Sequence, residues 1–278
     1  MSFFDHFHSK TAPAATLQPP DEPAAPGFLI EAEVLSDVGC VRDHNEDCVS
    51  ILHERNNSRG DRALVVVADG MGGHNAGEVA SAAAVKTLEN SFAKMRTEPA
   101  EHLKNAFLDA NASIHKQSLE EDSMRGMGTT CTALLLQDGL GYSAHVGDSR
   151  LYLIRNGGIY QLSEDHSAVM ELVTLGQITM EQARHHPDKN VITRSIGGRE
   201  QVEVSTWAEP MRLRAGDRFL LCSDGMYDYI EDEEIRRVAT AESPLNACRQ
   251  LVDIARERGG GDNISVVIVE LRPLDNTN

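Results

Sequence analysis

Short apolar runs that meet an aspartate and a glycine recur along this chain. The three cases are residues 64–68 before Asp69-Gly70, residues 219–222 before Asp224-Gly225, and residues 264–269 after Asp262. Runs of this length that are rich in Val, Ile and Leu predict buried strands. A carboxylate at the rim of such a strand is costly to desolvate, and several together repel one another. The pattern therefore predicts a shared site at strand ends, where a divalent cation would compensate the carboxylates.

Apolar runs that alternate with turn residues predict two β-hairpins in the middle of the chain. They are residues 130–136 with 140–146, turning at Asp138-Gly139, and residues 151–155 with 159–162, turning at Asn156-Gly157. Asp-Gly and Asn-Gly between apolar runs are typical of tight hairpin turns. The middle of the chain is therefore expected to form antiparallel sheet.

Apolar residues at helical spacing predict three main helices. The first covers about residues 76–92, and the second carries an apolar stripe between 103 and 114. The third starts with Ser243 as cap and Pro244 at its first position. Strands in hairpins, with helices in pairs, favour an α+β fold over a doubly wound parallel sheet. We predict a four-layer αββα sandwich of two antiparallel sheets flanked by helices, with the metal site at one end.

A polar segment between residues 165 and 190 interrupts the strands. Val169, Leu172 and Val173 form one apolar stripe, and Thr179 with Gln182 predicts a capping box. The segment is interpreted as a helical flap insertion. It has two possible roles, a lid that contacts substrate or a decoration without direct chemistry.

Residues 1–27 differ in composition from the rest of the chain. They are rich in Pro and Ala, which predicts a disordered tail, and their aromatic opening at residues 3–7 is either a docking peptide or without function. Residues 28–278 are predicted to form one catalytic domain.

Composition and charge exclude several classes of protein. The net charge of −17 provides no basic footprint for nucleic acid. No apolar run approaches the roughly 18 residues of a membrane span. The five cysteines are scattered singly, which favours reduced thiols in the cytoplasm over disulfides or a zinc site.

Six short motifs occur in a fixed order around the predicted strand ends. They are R-x-x-x-E-D from Arg42, D-G-M-G-G-H from 69, G-T-T from 128, G-D-S-R from 147, S-D-G from 223 and G-D-N from 261. Each alone is a weak signal, because Asp-Gly is common in turns. As an ordered set they resemble the bacterial metal-dependent serine/threonine protein phosphatases of type 2C, the PPM family, over about residues 32–271.

This resemblance implies an enzyme that hydrolyses phosphoserine and phosphothreonine with a metal-activated water and opposes a bacterial Ser/Thr protein kinase. It implies two Mn²⁺ or Mg²⁺ ions, with room for a third. The metal ligands that it implies are Glu46, Asp69, the Gly70 carbonyl, Asp224 and Asp262, with Asp148 at the third site. Asp148 has a second interpretation as an ordinary turn residue.

Three catalytic residues follow from the same resemblance. Asp69 would bridge the two ions, Asp47 would orient the water, and Arg42 would bind the substrate phosphate with its fork of donors. Animal members have His where this chain has Met71, and Met cannot protonate a leaving oxygen. Water on a metal is then the expected acid, with His74 as a poor replacement.

Three polar residues near the motifs are expected to have structural roles. His166 is expected to make structural hydrogen bonds, and Thr129 and Thr130 to support the site through their hydroxyl groups.

Two other functions are compatible with parts of the pattern. A non-catalytic phosphoprotein-binding scaffold would lack metal ligands, whereas every expected acid is present. A phosphohydrolase of nucleotides or small molecules finds no support in a Walker lysine or a nucleotide fingerprint. The expected partners are phosphorylated proteins, including a Ser/Thr kinase and its substrates, and neither nucleic acid nor a membrane.

Overall fold

The computed structural model describes residues 27–56, 58–73 and 76–274. The strands are β1 (Phe28–Asp37), β2 (Asp47–Glu54), β3 (Arg62–Met71), β4 (Gly128–Thr129), β5 (Cys131–Gln137), β6 (Leu140–Val146), β7 (Arg150–Arg155), β8 (Gly158–Gln161), β9 (Ser205–Thr206), β10 (Met211–Arg212), β11 (Arg218–Cys222) and β12 (Ile264–Pro273). The α-helices are α1 (Ala76–Ser91), α2 (Pro99–Glu120), α3 (Ala168–Thr174), α4 (Met180–Arg184), α5 (Asp224–Tyr227), α6 (Asp232–Ala241) and α7 (Pro244–Glu257).

The strands form two antiparallel sheets. The first sheet has the order β1-β12-β11-β7-β8, and the second has the order β10-β6-β5-β3-β2, with β4 paired to β3 and β9 to β6. Each sheet therefore combines strands that are distant in sequence. This arrangement brings the ends of β2 and β3 close to those of β11 and β12.

Strand β3 shows why the predicted run is buried throughout. Its side chains alternate between two cores: Val65 and Val67 lie in the apolar cluster between the sheets, and Leu64 and Val66 in the cluster with α1 and α2. A third cluster packs the first sheet against α6 and α7. The order of layers is helices, sheet, sheet, helices, which confirms the predicted αββα sandwich.

Both predicted hairpins form. Asp138 and Gly139 have φ of 52° and 73°, and Asn156 and Gly157 have φ of 52° and 75°. Two successive residues with positive φ are what a tight type I′ turn requires. The turns therefore fix the registers of β5 with β6 and of β7 with β8.

The helices differ from the prediction in detail. The first predicted helix ends at Ser91 and continues as a 3₁₀ turn over Phe92–Arg96. Ser243 occupies the N-cap position of α7, but its side chain makes no capping hydrogen bond. Helices α5 and α6 were not predicted. The short α5 begins on the Asp-Gly pair that was interpreted as a strand end.

The flap consists of α3 and α4. The predicted capping box is present, with the Thr179 hydroxyl accepting from the Gln182 N–H and the Gln182 side chain accepting from the Thr179 N–H. Val169, Val173 and Ala183 form a small apolar cluster of their own. The flap is therefore packed mainly on itself rather than on the cores of the sandwich.

Most of the predicted tail lies outside the described residues. Its last residue, Gly27, is buried against the turn at Arg59 and Gly60, where a side chain on Gly27 would overlap the Arg59 carbonyl. None of the helices within residues 76–274 has the length and apolar character needed to span a membrane.

Candidate active site

Two of the predicted acids are paired on adjacent strands of the second sheet. Asp47 begins β2 and is the register partner of Asp69 near the end of β3. Directly opposed residues of an antiparallel pair have Cβ atoms about 5 Å apart. The sheet therefore holds two carboxylates side by side at one end of the sandwich.

The first sheet contributes two more acids to the same end. Asp224 follows β11 by two residues and starts α5, and Asp262 precedes β12 by two residues. Ser223 links the sheets, because its hydroxyl donates to Asp47 Oδ2 at 2.8 Å and accepts from the Ser265 N–H at 3.0 Å. The strand ends that were distant in sequence thus meet at one cleft.

The carboxylates at this end of the sandwich lie close enough to repel one another. Desolvation raises the pKa of Asp69 well above its ordinary value, and so does repulsion from Asp47, Asp224, Asp148 and Asp262. The pKa of Asp224 is likewise raised, first by burial and then by repulsion from its acidic neighbours. A cluster of this kind gains most when a cation compensates it.

Asp47 is held by hydroxyl groups rather than by a basic residue. Burial raises its pKa to about 6, while hydrogen bonds from Ser265 and Ser223 act in the opposite direction. Its Oδ1 atom is buried without a hydrogen-bond partner in the described structure. One oxygen of Asp47 is therefore fixed and the other is free to accept.

The loop that carries Glu46 is pinned from several sides. The Asn263 side chain accepts from the Glu46 N–H at 2.8 Å, and the Ser81 hydroxyl donates to the Glu46 carbonyl at 2.6 Å. The Gly70 N–H donates to the same carbonyl at 3.1 Å. A Cβ on Gly70 would lie 2.6 Å from that oxygen, and a Cβ on Gly77 would lie 2.8 Å from the Glu46 carboxylate. Glycine is required at both positions because the backbones approach too closely for a side chain.

The pKa of the Glu46 carboxyl group is shifted from its ordinary value. Burial raises its pKa, the Arg42 guanidinium opposes this, and the Asp262 carboxylate adds to it. Glu46 therefore belongs electrostatically to the same cluster as Asp262.

Thr129 and Thr130 support Asp69 as predicted. The Thr130 hydroxyl accepts from the Asp69 N–H at 2.9 Å, and the Thr129 hydroxyl donates to the Asp69 carbonyl at 2.8 Å. The Thr130 hydroxyl also meets that of Ser149 at 2.7 Å. The G-T-T motif thus fixes the backbone that presents the Asp69 carboxylate.

Asp148 lies at the side of the cleft that faces the flap. It is only 4% exposed, and burial, followed by repulsion from Asp165, raises its pKa to about 7. Arg150 counteracts this and is itself fixed by Asp165, which accepts from Arg150 Nη2 at 2.7 Å. The Arg150 guanidinium also lies 3.6 Å from the centre of the Tyr227 ring.

The flap borders an open cleft next to Asp148. The cleft has a volume of about 780 Å³ and is lined by Asp148, Arg150 and Tyr227 on one side and by Met170 and Met180 of the flap on the other. A volume of this size accommodates a peptide side chain with its neighbours. The flap is therefore in position to contact a ligand that reaches Asp148.

His166 has the structural role that was predicted for it. Its Nδ1 accepts from the Gly147 N–H at 3.0 Å, and its Nε2 meets the Ser205 hydroxyl at 3.0 Å. Burial, followed by repulsion from His145 and Arg194, lowers its pKa to about 3. A neutral His166 therefore holds the loop that carries Asp148.

Arg42 lies at the rim of the cleft. Its Nη2 donates to Asp262 Oδ2 at 2.8 Å, and about half of its side chain is exposed. The exposed part of the guanidinium leaves donors available to an incoming anion. His74, the replacement acid considered in the sequence analysis, lies outside the described residues.

The cleft fits divalent cations by its chemistry. Its donors are carboxylates, which Mg²⁺ and Mn²⁺ prefer, and the buried Oδ1 atoms of Asp47 and Asp224 have no hydrogen-bond donor in the described structure. Within residues 27–56, 58–73 and 76–274, no three acidic, His or Cys side chains enclose an ion by themselves.

Sequence reasoning missed the residues that orient the acids. Ser223 was noted only as a step into the Asp-Gly pair, and neither Ser265 nor Asn263 was assigned a role. The available signal was position, because Ser223 and Asn263 are each adjacent to a predicted ligand and Ser265 is three residues after Asp262.

Comparison with known proteins supports the same assignment. The sequence matches the family described as Protein phosphatase 2C over residues 43–259. It is 38% identical over 251 residues to the protein phosphatase PhpP of Streptococcus pneumoniae, covering 88% of this chain and 99% of that protein. It is 37% identical over 247 residues to the serine/threonine phosphatase stp of Listeria monocytogenes, covering 87% and 96%.

Solved structures have the same fold. The Mycobacterium tuberculosis serine/threonine phosphatase PstP/Ppp superposes with a TM-score of 0.79 at 37% identity, over 87% of this chain and 99% of that one. The catalytic domain of the serine/threonine protein phosphatase PstP in complex with two manganese ions superposes with a TM-score of 0.76 at 35% identity, over 87% and 98%. These matches confirm the predicted fold and enzyme class. The chain belongs to the protein phosphatase 2C family of serine/threonine protein phosphatases.

Proposed function

We propose that the cleft at the end of the sandwich hydrolyses phosphoserine and phosphothreonine on proteins with the help of divalent cations. The convergence of Asp47, Asp69, Asp148, Asp224 and Asp262 is the observation that carries this proposal. Phosphate monoesters hydrolyse very slowly in water, so the catalyst must neutralise a dianion and supply a strong nucleophile. Carboxylates alone would repel the substrate, and cations reverse that effect.

Two Mn²⁺ or Mg²⁺ ions are the proposed cofactors. The residues that would hold them are Glu46, Asp69, the Gly70 carbonyl, Asp224 and Asp262. Bound cations supply charge neutralisation and a water of lowered pKa. Asp148 would hold a third ion, and its burial next to Asp165 supports that role over that of an ordinary turn residue.

Asp47 and Arg42 would act on water and substrate. The free Oδ1 of Asp47 can accept a proton or a hydrogen bond from water in the cleft, while Ser223 holds the other oxygen. The Arg42 guanidinium would donate to two oxygens of the substrate phosphate. Its place at the exposed rim supports contact with an incoming ligand.

The domain organisation follows from the same proposal. Residues 28–274 would form the catalytic domain, and within them residues 165–190 would form a flap that contacts the substrate next to Asp148. The cleft of about 780 Å³ between the flap and Tyr227 supports the role of the flap.

The proposed partners are phosphorylated proteins, including a bacterial Ser/Thr kinase and its substrates. The proposed location is the cytoplasm. All five cysteines are free in the structure, three of them buried, which is compatible with a reducing compartment.

The proposal is tested by phosphate release from a phosphothreonine peptide with Mn²⁺ and with EDTA. We expect turnover only with Mn²⁺, and its loss in Asp69→Asn and in Asp224→Asn, because each change removes a charge that holds the cations. Asp109→Asn on the exposed face of α2 is the matched control and should keep wild-type turnover. A protein that binds the peptide without releasing phosphate would favour the scaffold function instead.

A further inference from the structure

A second polar cleft lies at the opposite end of the sandwich from the carboxylate cluster. Strand β2 runs from Asp47 to Glu54, and Glu54 is the register partner of Arg62 at the start of β3. At a rise of about 3.3 Å per residue, the two ends of β2 are about 23 Å apart. This second cleft is therefore separate from the proposed catalytic site.

The second cleft collects arginines. It has a volume of about 510 Å³, and four arginines line it together with three carboxylates and polar backbone: Arg55, Arg59, Arg62 and Arg96. We refer to it as the arginine cleft. In a chain with a net charge of −17, four guanidinium groups around one cavity are a local exception. A positive cavity of this kind attracts anions.

Arg62 lies at the floor of the arginine cleft and is only 7% exposed. Its Nε donates to the Gln137 side chain at 2.8 Å, and its Nη2 donates to the Phe92 carbonyl at 2.6 Å. The guanidinium is stacked 3.7 Å from the centre of the Phe92 ring. The side chain is therefore fixed in place before any ligand arrives.

The Nη1 atom of Arg62, unlike Nε and Nη2, has no hydrogen-bond acceptor in the described structure. It is buried and donates no hydrogen bond, and its contact with Glu54 Oε2 is a long ion pair of 3.6 Å. Glu54 Oε2 already accepts from Arg96 Nη2 at 2.6 Å. A buried donor without a hydrogen-bond acceptor is unfavourable, so an anion that reaches Arg62 Nη1 is stabilised there.

None of the three acids that line the arginine cleft pairs with Arg55 or Arg59 in the described structure. Asp61 is directed inward, where its oxygens accept from the N–H groups of Ile30 and Asn56 and meet His53 Nε2. The exposed side chains of Arg55 and Arg59 make no ion pair among the described residues. The guanidinium fork of arginine matches the geometry of a phosphate group.

We propose that the arginine cleft binds a phosphate dianion, either as the free ion or as a monoester on a larger ligand. Arg62 Nη1 donates at the floor, and Arg55 and Arg59 donate from the rim. The cavity is larger than a single oxyanion needs, which leaves room for the group that carries the phosphate.

Calorimetry tests this binding under conditions in which the proposed catalytic site does not bind phosphate. The full chain with Arg42→Ala is titrated in EDTA with inorganic phosphate, with a phosphothreonine peptide and with the same peptide unphosphorylated. We expect saturable binding of one phosphate-bearing probe, weakened at least tenfold when Arg55→Gln and Arg59→Gln are added. Arg125→Gln, an exposed arginine outside the cleft, is the matched control and should leave the affinity unchanged.

The two probes distinguish the source of the phosphate. Tighter binding of inorganic phosphate would identify the free ion, and tighter binding of the phosphopeptide would identify a monoester. Arg62→Lys keeps the charge but removes the Nη1 donor, and should also weaken binding. Absence of saturable binding at millimolar concentration, or equal binding by the Arg55/Arg59 and Arg125 variants, would overturn the proposal. None of these readouts uses catalytic turnover, so they are independent of the proposed function.

Discussion

Arg42 Nη2 donates a 2.8 Å hydrogen bond to Asp262 Oδ2 across the mouth of the cleft. The pair joins the residue proposed to bind the substrate phosphate with one proposed to bind a cation. The hydrogen bond to Asp262 is the main cause of a raised pKa for Arg42, and attraction to Glu46 and Asp69 adds to it. Arg42 therefore compensates part of the carboxylate cluster when no cation does so.

Because of this pair, Arg42→Ala should affect substrate binding and cation binding differently. We expect a higher KM for small phosphoesters and a fall of about tenfold to a hundredfold in kcat/KM, because a charge-assisted contact is worth about 1.5–3 kcal/mol. Cation affinity should stay the same or rise, since the arginine no longer competes for Asp262. Steady-state kinetics and Mn²⁺ calorimetry measure the two effects.

Arg42→Lys is the control for charge. It should restore part of kcat/KM but not the bidentate contact. Loss of Mn²⁺ binding in Arg42→Ala would contradict the assignment of Arg42 to the substrate.

The strands were predictable from local signals, and the acids from short motifs together with the family resemblance. A buried strand such as β3 is visible as an apolar run, and Asn156-Gly157 predicts its turn from φ preferences alone. The pairing of Arg42 with Asp262, 220 positions apart, depends on which strands become neighbours in the first sheet. No periodicity in the chain encodes that order, so this contact was not predictable without the fold.

Asp148 provides a test based on pH. Its pKa is raised from 3.8 to about 7 in the folded protein, mainly by burial. The unfolded chain loses this proton at lower pH than the folded protein does. The free energy of unfolding therefore falls as pH rises from about 4 to about 7. Without metal, Asp148→Asn should therefore gain stability over the wild type across this range, by up to about 1.4 kcal/mol per pH unit.

Denaturant unfolding in EDTA at several pH values measures this difference. Comparing the variant with the wild type cancels the opposing contribution of buried histidines such as His166. Asp109→Asn, on an exposed helix face, should show a difference that does not vary with pH. A pH-independent difference for Asp148→Asn would mean that this carboxylate is not desolvated.

Ser223 is expected to act as a positioning residue for Asp47. Its hydroxyl donates to Asp47 Oδ2 at 2.8 Å, and this hydrogen bond holds the pKa of Asp47 down against the effect of burial. Ser223→Ala should lower kcat by about tenfold, since a hydrogen bond to a charged group is worth about 1.5 kcal/mol or more. KM should change little, and the acidic limb of the kcat profile should move to higher pH.

The pH profile separates positioning from general loss of structure. Ser243→Ala, at a helix N-cap whose side chain makes no capping bond, should leave both kcat and the profile unchanged. If Ser223→Ala lowered kcat without moving the acidic limb, the link to Asp47 would be wrong.

The flap is tied to the sandwich by two ion pairs. Lys189 Nζ lies 2.5 Å from Asp228 Oδ2, and Arg184 pairs with Glu231. Both pairs cross the cleft next to Asp148, from the flap to the segment between α5 and α6. The apolar cluster of the flap is small, so these pairs add to the polar contacts that Asp165 and His166 make at its base.

Changing Lys189→Gln and Arg184→Gln together should therefore loosen the flap without unfolding the domain. Partly exposed ion pairs are worth about 0–1 kcal/mol each, so the free energy of unfolding should fall only slightly. Proteolytic cleavage within residues 165–190 should become faster, and KM for a phosphoprotein should rise while KM for p-nitrophenyl phosphate stays constant, because only the larger substrate reaches the flap. Lys116→Gln, which breaks an ion pair with Glu120 within α2, is the control and should change none of these. An equal rise in KM for both substrates would show that the pairs support the catalytic cleft itself rather than the flap.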